Sequence, residues 1–274
     1  MNRPMKKDRP VGVFDSGVGG LTVAREIMRQ MPDEKIIYFG DTARVPYGTK
    51  SQNTVIRFVR QIVSFLQMHN VKAIVAACNT ASAYALETIE REIDIPIIGV
   101  VKPGARTAVR TTRNRRVGVI ATDATINSGM YTRFIQELDP DVAVFSRACP
   151  LFVPLVEEGM LHDFVTEEIA NRYLKDLKAQ NVDTLILGCT HYPLLRSLIG
   201  ACMGDQVRLV NPAYETAVEL KEMLGREDML TEVRDGMPKH RFYVSDGAEK
   251  FEIFANSILP YDIRKTQVVD IEGY

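Results

Sequence analysis

The sequence predicts an α/β protein of two pseudo-symmetric lobes, each a mainly parallel sheet flanked by helices, with the active site in the cleft between them. Two observations carry this. Short apolar runs alternate with segments of helical spacing, which indicates βαβ units. The same order of motifs then starts again about a hundred residues on. Arg116-Val117-Gly118-Val119-Ile120 repeats Pro10-Val11-Gly12-Val13-Phe14 after 106 residues, and Phe145 lies 106 residues after Phe39. Cys189 follows Cys78 by 111 residues, and Pro212 follows Pro103 by 109. Offsets that drift only by loop-sized amounts suggest a duplicated unit.

Taken in order, Val11 to Phe14 reads as a buried first strand, ended by Asp15-Ser16-Gly17-Val18-Gly19-Gly20. Leu21 to Met31 has helical spacing, with Leu21, Ala24, Ile27, Met28 and Met31 on one face. A strand at Ile36 to Phe39 runs into a long turn, Gly40 to Gly48. A helix follows over Ser51 to His69, then an apolar run, Ala73 to Ala77, that delivers Cys78. A helix from about Ala81 to Glu92 and a strand over Ile95 to Val101 close the first unit. Arg106 to Arg116 is expected to be a solvated basic loop. The second unit repeats the pattern through strands at Val117 and Val142 to Phe145, and through Asp183-Thr184-Leu185-Ile186-Leu187-Gly188-Cys189. The remainder predicts a strand (Phe242 to Ser245), a helix (Ala248 to Leu259) and a last strand (Thr266 to Ile271). It is too small for a third domain and is expected to fold back on the first lobe. The expected division is therefore residues 1–99 plus 207–274 for the first lobe and 100–206 for the second.

Composition excludes several functions. A formal net charge of −1 leaves no basic excess for phosphates, so no nucleic acid partner is expected. No apolar run approaches a membrane span, and no signal peptide follows the basic stretch Met1 to Pro10. Four cysteines without CxxC spacing suggest free thiols in a reducing cytoplasm rather than a disulfide framework.

Ligands of parallel sheets bind beyond the carboxyl ends of the strands. The residues expected there are Asp15 and Ser16, Asp41 to Gly48, Cys78 to Thr80, Thr122, Cys149, and Cys189 to His191. Cys149 and Cys202 read as small buried hydrophobes. Cys78 and Cys189 differ, because each ends a strand at the same place in its repeat and is followed by hydrogen-bonding residues. A helix start at each would also lower the thiol pKa. Cys189 with His191 could serve as a nucleophile and base, but that gives the matching thiol no role. Two thiols related by pseudo-twofold symmetry suit removal of a proton from one face of a carbon and return to the other. No dense Cys/His spacing supports a metal site. The glycine-rich turn after Asp15 lacks GxGxxG and the P-loop lysine, so it suits a carboxylate better than a nucleotide. Asp15 could hold an ammonium group or assist a thiol. Asn79, Thr80 and Thr190 add donors, and His191 could aid proton transfer near pH 7. Glu157 and Glu158 follow a strand-like stretch and read as helix-start charges or as part of the site.

These motifs resemble the glutamate racemases of the cofactor-independent aspartate/glutamate racemase superfamily. The matching stretches are Phe14-Asp15-Ser16-Gly17-Val18-Gly19-Gly20, Gly40 to Gly48, Ala77-Cys78-Asn79-Thr80-Ala81-Ser82 and Gly188-Cys189-Thr190-His191-Tyr192-Pro193. The resemblance runs from about Val11 to Ala217 and more weakly through Phe242 to Leu259. It implies interconversion of L- and D-glutamate without pyridoxal phosphate or any other cofactor, supplying D-glutamate for peptidoglycan and so for cell shape. It implies Cys78 and Cys189 as the acid/base thiols, assisted by Asp15 and His191 respectively, with Glu157 supporting the second. It implies a substrate site of Asp15, Ser16, Tyr47, Gly48, Asn79, Thr80, Thr122, Thr190 and His191, and a homodimer. Asn211-Pro212 departs from the family pattern, which would have an Asp-Ser type pair there. Tyr243-Val244-Ser245-Asp246 departs from a Thr-rich form. Two other readings stand beside this one: a racemase or isomerase of aspartate, hydantoins or maleate, and a two-lobed binding module without turnover, which would need no paired thiols.

Overall fold

A computed structural model describes residues 6–232 and 238–274. The first five residues of the basic N-terminal stretch therefore lie outside the described residues. The first lobe begins β1 (Val11–Asp15), α1 (Leu21–Gln30), β2 (Ile36–Gly40), α2 (Gln52–Met68), β3 (Ala73–Ala76), α3 (Asn79–Tyr84), α4 (Leu86–Glu90) and β4 (Ile97–Gly99). Helix α5 (Val101–Thr111) leads into the second lobe. That lobe contains β5 (Arg116–Ala121), α6 (Asp123–Asn127), α7 (Met130–Leu138), β6 (Ala143–Ala148), α8 (Phe152–Glu157), α9 (Phe164–Ala179), β7 (Thr184–Gly188), α10 (Arg196–Met203) and β8 (Arg208–Val210). The chain returns through α11 (Pro212–Arg226), β9 (Arg241–Val244), α12 (Ala248–Ile258) and β10 (Thr266–Val268).

Both sheets are parallel. One has the order β10-β9-β2-β1-β3-β4 and the other β6-β5-β7-β8. Four strands of the first sheet thus repeat the order of the whole second sheet. The register agrees as well. Gly12 pairs with Ile74, and Gly118, 106 residues later, pairs with Leu185, 111 residues after Ile74. Cys78 and Cys189 therefore leave their sheets at equivalent points. One correspondence expected from the sequence shifts by two residues. Phe145 lies opposite Gly118, the place that Ile37 rather than Phe39 takes opposite Gly12.

Strands β1, β2, β3 and β7 are buried throughout, because helices cover both faces of a parallel sheet. This explains why they read as unbroken apolar runs. Helix α2 buries the stripe Val55, Phe58, Ile62, Phe65 and Leu66, and the Ser51 side chain accepts from the Thr54 N–H at 3.4 Å to cap it. Helix α11 packs on α1 of the first lobe and on α5.

Several expected elements change. The helix expected from Ala81 starts at Asn79, since the Cys78 side chain itself caps it, and it pauses at Ala85 before resuming as α4. The strand expected to reach Val101 stops at Gly99. Val101 opens α5, where Pro103 is tolerated because first-turn N–H groups have no helical partner. Arg106 and Arg110 therefore lie on a helix, and Arg106 pairs with Glu219 at 2.9 Å. The stretch before Glu157 is helix α8, not a strand, and Glu157 ends it. The final strand stops at Val268, followed by a single 3-10 turn at Ile271–Gly273.

Candidate active site

The carboxyl ends of the two sheets face one cavity of about 360 Å³. Of the side chains singled out in the sequence, Cys78, Cys189, His191, Glu157, Ser16, Tyr47, Gly48, Asn79, Thr80, Thr122 and Thr190 all line it. Asp15 lies just behind this lining, fully buried at the end of β1. Cys149 and Cys202 are buried outside the cavity, as expected for small hydrophobes. A larger cleft of about 830 Å³ opens beside Glu26, Arg29, Arg196 and Tyr214 but holds neither thiol of the pair. Chemistry therefore points to the smaller one.

Cys78 is the N-cap of α3. Its Sγ accepts from the Ala81 N–H at 3.5 Å and lies 3.5 Å from Ser16 Oγ. Burial pushes this thiol up to about 12, the Asp15 charge adds to the rise, and the two hydrogen bonds oppose it without prevailing. The expected helix-start effect is thus outweighed, and Cys78 holds its proton at neutral pH. Burial likewise raises the Asp15 carboxyl, while the His191 charge and the backbone N–H groups of Gly20, Gly17 and Ser16 pull it down. Asp15 Oδ2 accepts from the Gly17 N–H at 3.0 Å, whereas Oδ1 is buried without a hydrogen bond.

Cys189 sits in a different setting. The chain after it forms a turn and the short 3-10 helix Tyr192–Leu195, which runs directly into α10 at Arg196, so no α-helix starts at Cys189 as one does at Cys78. Its partner is a side chain instead. His191 Nδ1 lies 3.8 Å from Cys189 Sγ, and Nε2 lies 3.1 Å from Glu157 Oε1. Burial works against a charged imidazole, but the hydrogen bonds to Cys189 and Glu157 and the nearby negative charge outweigh it and raise His191 to about 10. The same bond holds the Glu157 carboxyl below its usual range.

The long turn after β2 folds over the cavity on one buried acid. Asp41 accepts from Arg44 Nε at 2.7 and 3.0 Å, from Ser245 Oγ at 2.9 Å and from the Tyr47 hydroxyl. This brings Gly48 against the other lobe, where a Cβ on it would lie 2.9 Å from Thr122 Cβ. Three hydroxyls close a ring across the lobes. Thr80 Oγ1 lies 3.0 Å from Thr122 and 3.3 Å from Thr125, and Thr122 lies 3.0 Å from Thr125. Sequence reasoning missed Thr125. The available signal was its spacing of three from Thr122, which caps α6. It also missed Pro150, Val153 and Pro154, apolar lining for which no motif gave a sign.

The cavity can therefore hold a small polar anion between a protonated thiol and a thiol with an imidazole partner. The family described as Asp/Glu/Hydantoin racemase matches residues 18–220. A glutamate racemase of Geobacter metallireducens is 48% identical over 265 residues, covering 97% of this chain and 98% of the relative. A glutamate racemase of Neisseria meningitidis is 48% identical over 266 residues, covering 97% and 98%. Among solved structures, a Bacillus anthracis glutamate racemase has a TM-score of 0.92 at 43% identity, covering 96% of this chain and 98% of that one. A Francisella tularensis glutamate racemase in complex with D-glutamate has a TM-score of 0.91 at 40% identity, covering 98% and 100%. An aspartate racemase of Picrophilus torridus shares the fold at a TM-score of 0.57 and 16% identity.

Proposed function

From the premise that this chain belongs to the Asp/Glu/hydantoin racemase family, we propose that it interconverts L- and D-glutamate by proton transfer between Cys78, Cys189 and the substrate α-carbon. One observation carries the reading: thiols from equivalent ends of two like sheets open on one cavity, and each has polar partners of its own.

A thiolate on one side removes the α-proton, and the electron pair moves into the substrate carboxylate group. The thiol on the other side then donates its proton to the opposite face of the carbon. After one turnover the two sulfurs have exchanged protonation states, so the same site serves the reverse direction. Cys78, held protonated by burial, is the proton donor of the resting site. Cys189 is the base, since the adjacent His191 can keep the positive charge that a thiolate needs, with Glu157 behind it. Asp15 Oδ1, buried without a partner, is suited to the substrate ammonium group or to receive a proton from Cys78. Asn79, Thr80, Thr122 and Thr190 supply donors for the carboxylates. Ser16, Tyr47 and Gly48 complete the wall.

The lobes are proposed to divide near residues 99 and 207. The product D-glutamate would supply peptidoglycan synthesis in the cytoplasm, and the working form would be a homodimer. No helix among the described residues is long and apolar enough to cross a membrane. The test is incubation with L- or D-glutamate in deuterium oxide without added cofactor, with L-aspartate as the alternative substrate. Expected are loss of optical rotation and one deuterium at the α-carbon of glutamate. Absence of exchange with both glutamate enantiomers would overturn the reading, and exchange with aspartate alone would move it to another amino acid.

A further inference from the structure

Tyr131 touches the neighbours of both thiols, although nothing in the sequence motifs drew attention to it. It lies on α7 in the second lobe and is 3% exposed. Its hydroxyl donates to Asn79 Oδ1 at 2.7 Å. Asn79 follows Cys78 directly and lines the cavity. The ring lies between two glycines: a Cβ on Gly188 would come within 3.1 Å of Tyr131 Cε2, and one on Gly104 within 3.4 Å of Cε1. Gly188 precedes Cys189 directly. One rigid side chain thus spans from the residue before one thiol to the residue after the other.

We propose that Tyr131 is a positioning residue that orients the Asn79 carboxamide for substrate and ties the two thiol-bearing strand ends together; this rests on the racemase reading above. A carboxamide has one acceptor and one donor end, and nothing in its own torsions decides which points at a ligand. Tyr131 occupies the acceptor end. Burial raises the phenol pKa, so the phenol keeps its proton and remains a donor. The Nδ2 end makes no hydrogen bond within the described residues, and the arrangement leaves it to donate to a substrate carboxylate. Without the hydroxyl, either end could turn to the cavity, and a turned carbonyl would repel the carboxylate. A Cβ at Gly188 would press on the Ile120 carbonyl at 2.7 Å and crowd the Tyr131 ring at 3.1 Å, so the bare backbone there lets the ring lie close against the residue before Cys189.

The experiment is a double-mutant cycle of Y131F and N79A. Phenylalanine keeps the ring in its slot and removes only the hydroxyl, and thermal melting checks that the fold is kept. If Asn79→Ala loses the fold, Asn79→Ser replaces it. The readouts are KM, kcat and the D-glutamate dissociation constant. Y131F is expected to lower kcat/KM by about 5- to 100-fold, the range for leaving one buried polar group unpaired, chiefly through KM. In the Asn79→Ala background it should have no further effect, because Tyr131 acts through Asn79. Losses that multiply, or a Y131F enzyme with unchanged KM and dissociation constant, overturn the proposal. A wild-type protein without racemisation overturns the racemase reading itself and the role of Tyr131 with it; an active wild type with an unaffected Y131F overturns only the latter.

Discussion

Gly19 and His191, from opposite lobes, meet with no room for a side chain between them. A Cβ on Gly19 would lie 2.5 Å from His191 Nδ1 and Cε1 and 2.3 Å from Thr190 Oγ1. The glycine-rich turn is thus shaped by the loop that carries the second thiol. Gly19→Ala is expected to push that loop away from the cavity. Overpacking of this kind costs about 1–3 kcal/mol. Racemisation should fall far more than thermal stability does, since the displaced groups are Thr190 and His191. Steady-state kinetics beside a melting curve checks this, and a fully active G19A would show that the lobes separate without cost.

The proposed mechanism gives each thiol its own role, so each should be indispensable. Cys78→Ala and Cys189→Ala are expected to fold, because both sites are buried and the replacement is smaller. Each should lower racemisation by about 10²- to 10⁴-fold or more, the usual weight of a general acid or base. Solvent deuterium exchange measured separately from L- and from D-glutamate checks the assignment. A single variant that keeps the wild-type racemisation rate would refute the two-thiol mechanism.

The Glu157–His191 bond predicts a pH effect. Glu157 is one of the causes that raise His191, so Glu157→Gln removes a raising influence and the imidazolium gives up its proton at a lower pH. The alkaline limb of the kcat/KM profile should therefore move to lower pH in E157Q. The stability sign follows from the same shift. A His raised from 6.5 to about 10 stabilises the fold fully below 6.5, and this contribution disappears as pH rises through about 10. Denaturant midpoints across that range should fall more steeply in the wild type than in E157Q.

Far from the cavity, Lys72 and Glu34 form a buried pair at 2.6 Å, with side chains 0% and 2% exposed. The ammonium also donates to the carbonyls of Lys7 and Met229 and to Thr231 Oγ1. Glu34→Ala would leave the ammonium without its carboxylate. It is expected to cost about 3–5 kcal/mol of stability, as for one partner removed from a buried pair. Activity at moderate temperature should be preserved. Chemical denaturation of E34A checks the first statement and kinetics the second.

The elements most legible in the sequence were those governed by local rules. Buried parallel strands read as apolar runs because both faces are covered. The ends of those strands located Cys78 and Cys189, because parallel sheets present ligands there. Tyr131 was not legible, since its contact with Asn79 crosses the lobes and no sequence spacing encodes it, and Thr125 had only its spacing of three from Thr122 as a sign. Glu157 is legible as a candidate residue, but its setting is not: the stretch before it reads as a strand and is a helix that Glu157 ends.

The amino-acid sequence by itself determined the repeated order of strands, the pair of thiols at equivalent strand ends and the polar residues that follow them. Periodicity and strand-end chemistry are local properties, and a duplicated unit repeats them. The tertiary structure decided how the two thiols differ. Cys78 is buried near Asp15 and keeps its proton, while Cys189 has His191 and Glu157 beside it. Proton affinity depends on burial and on charges brought from distant parts of the chain, and only folding brings them together.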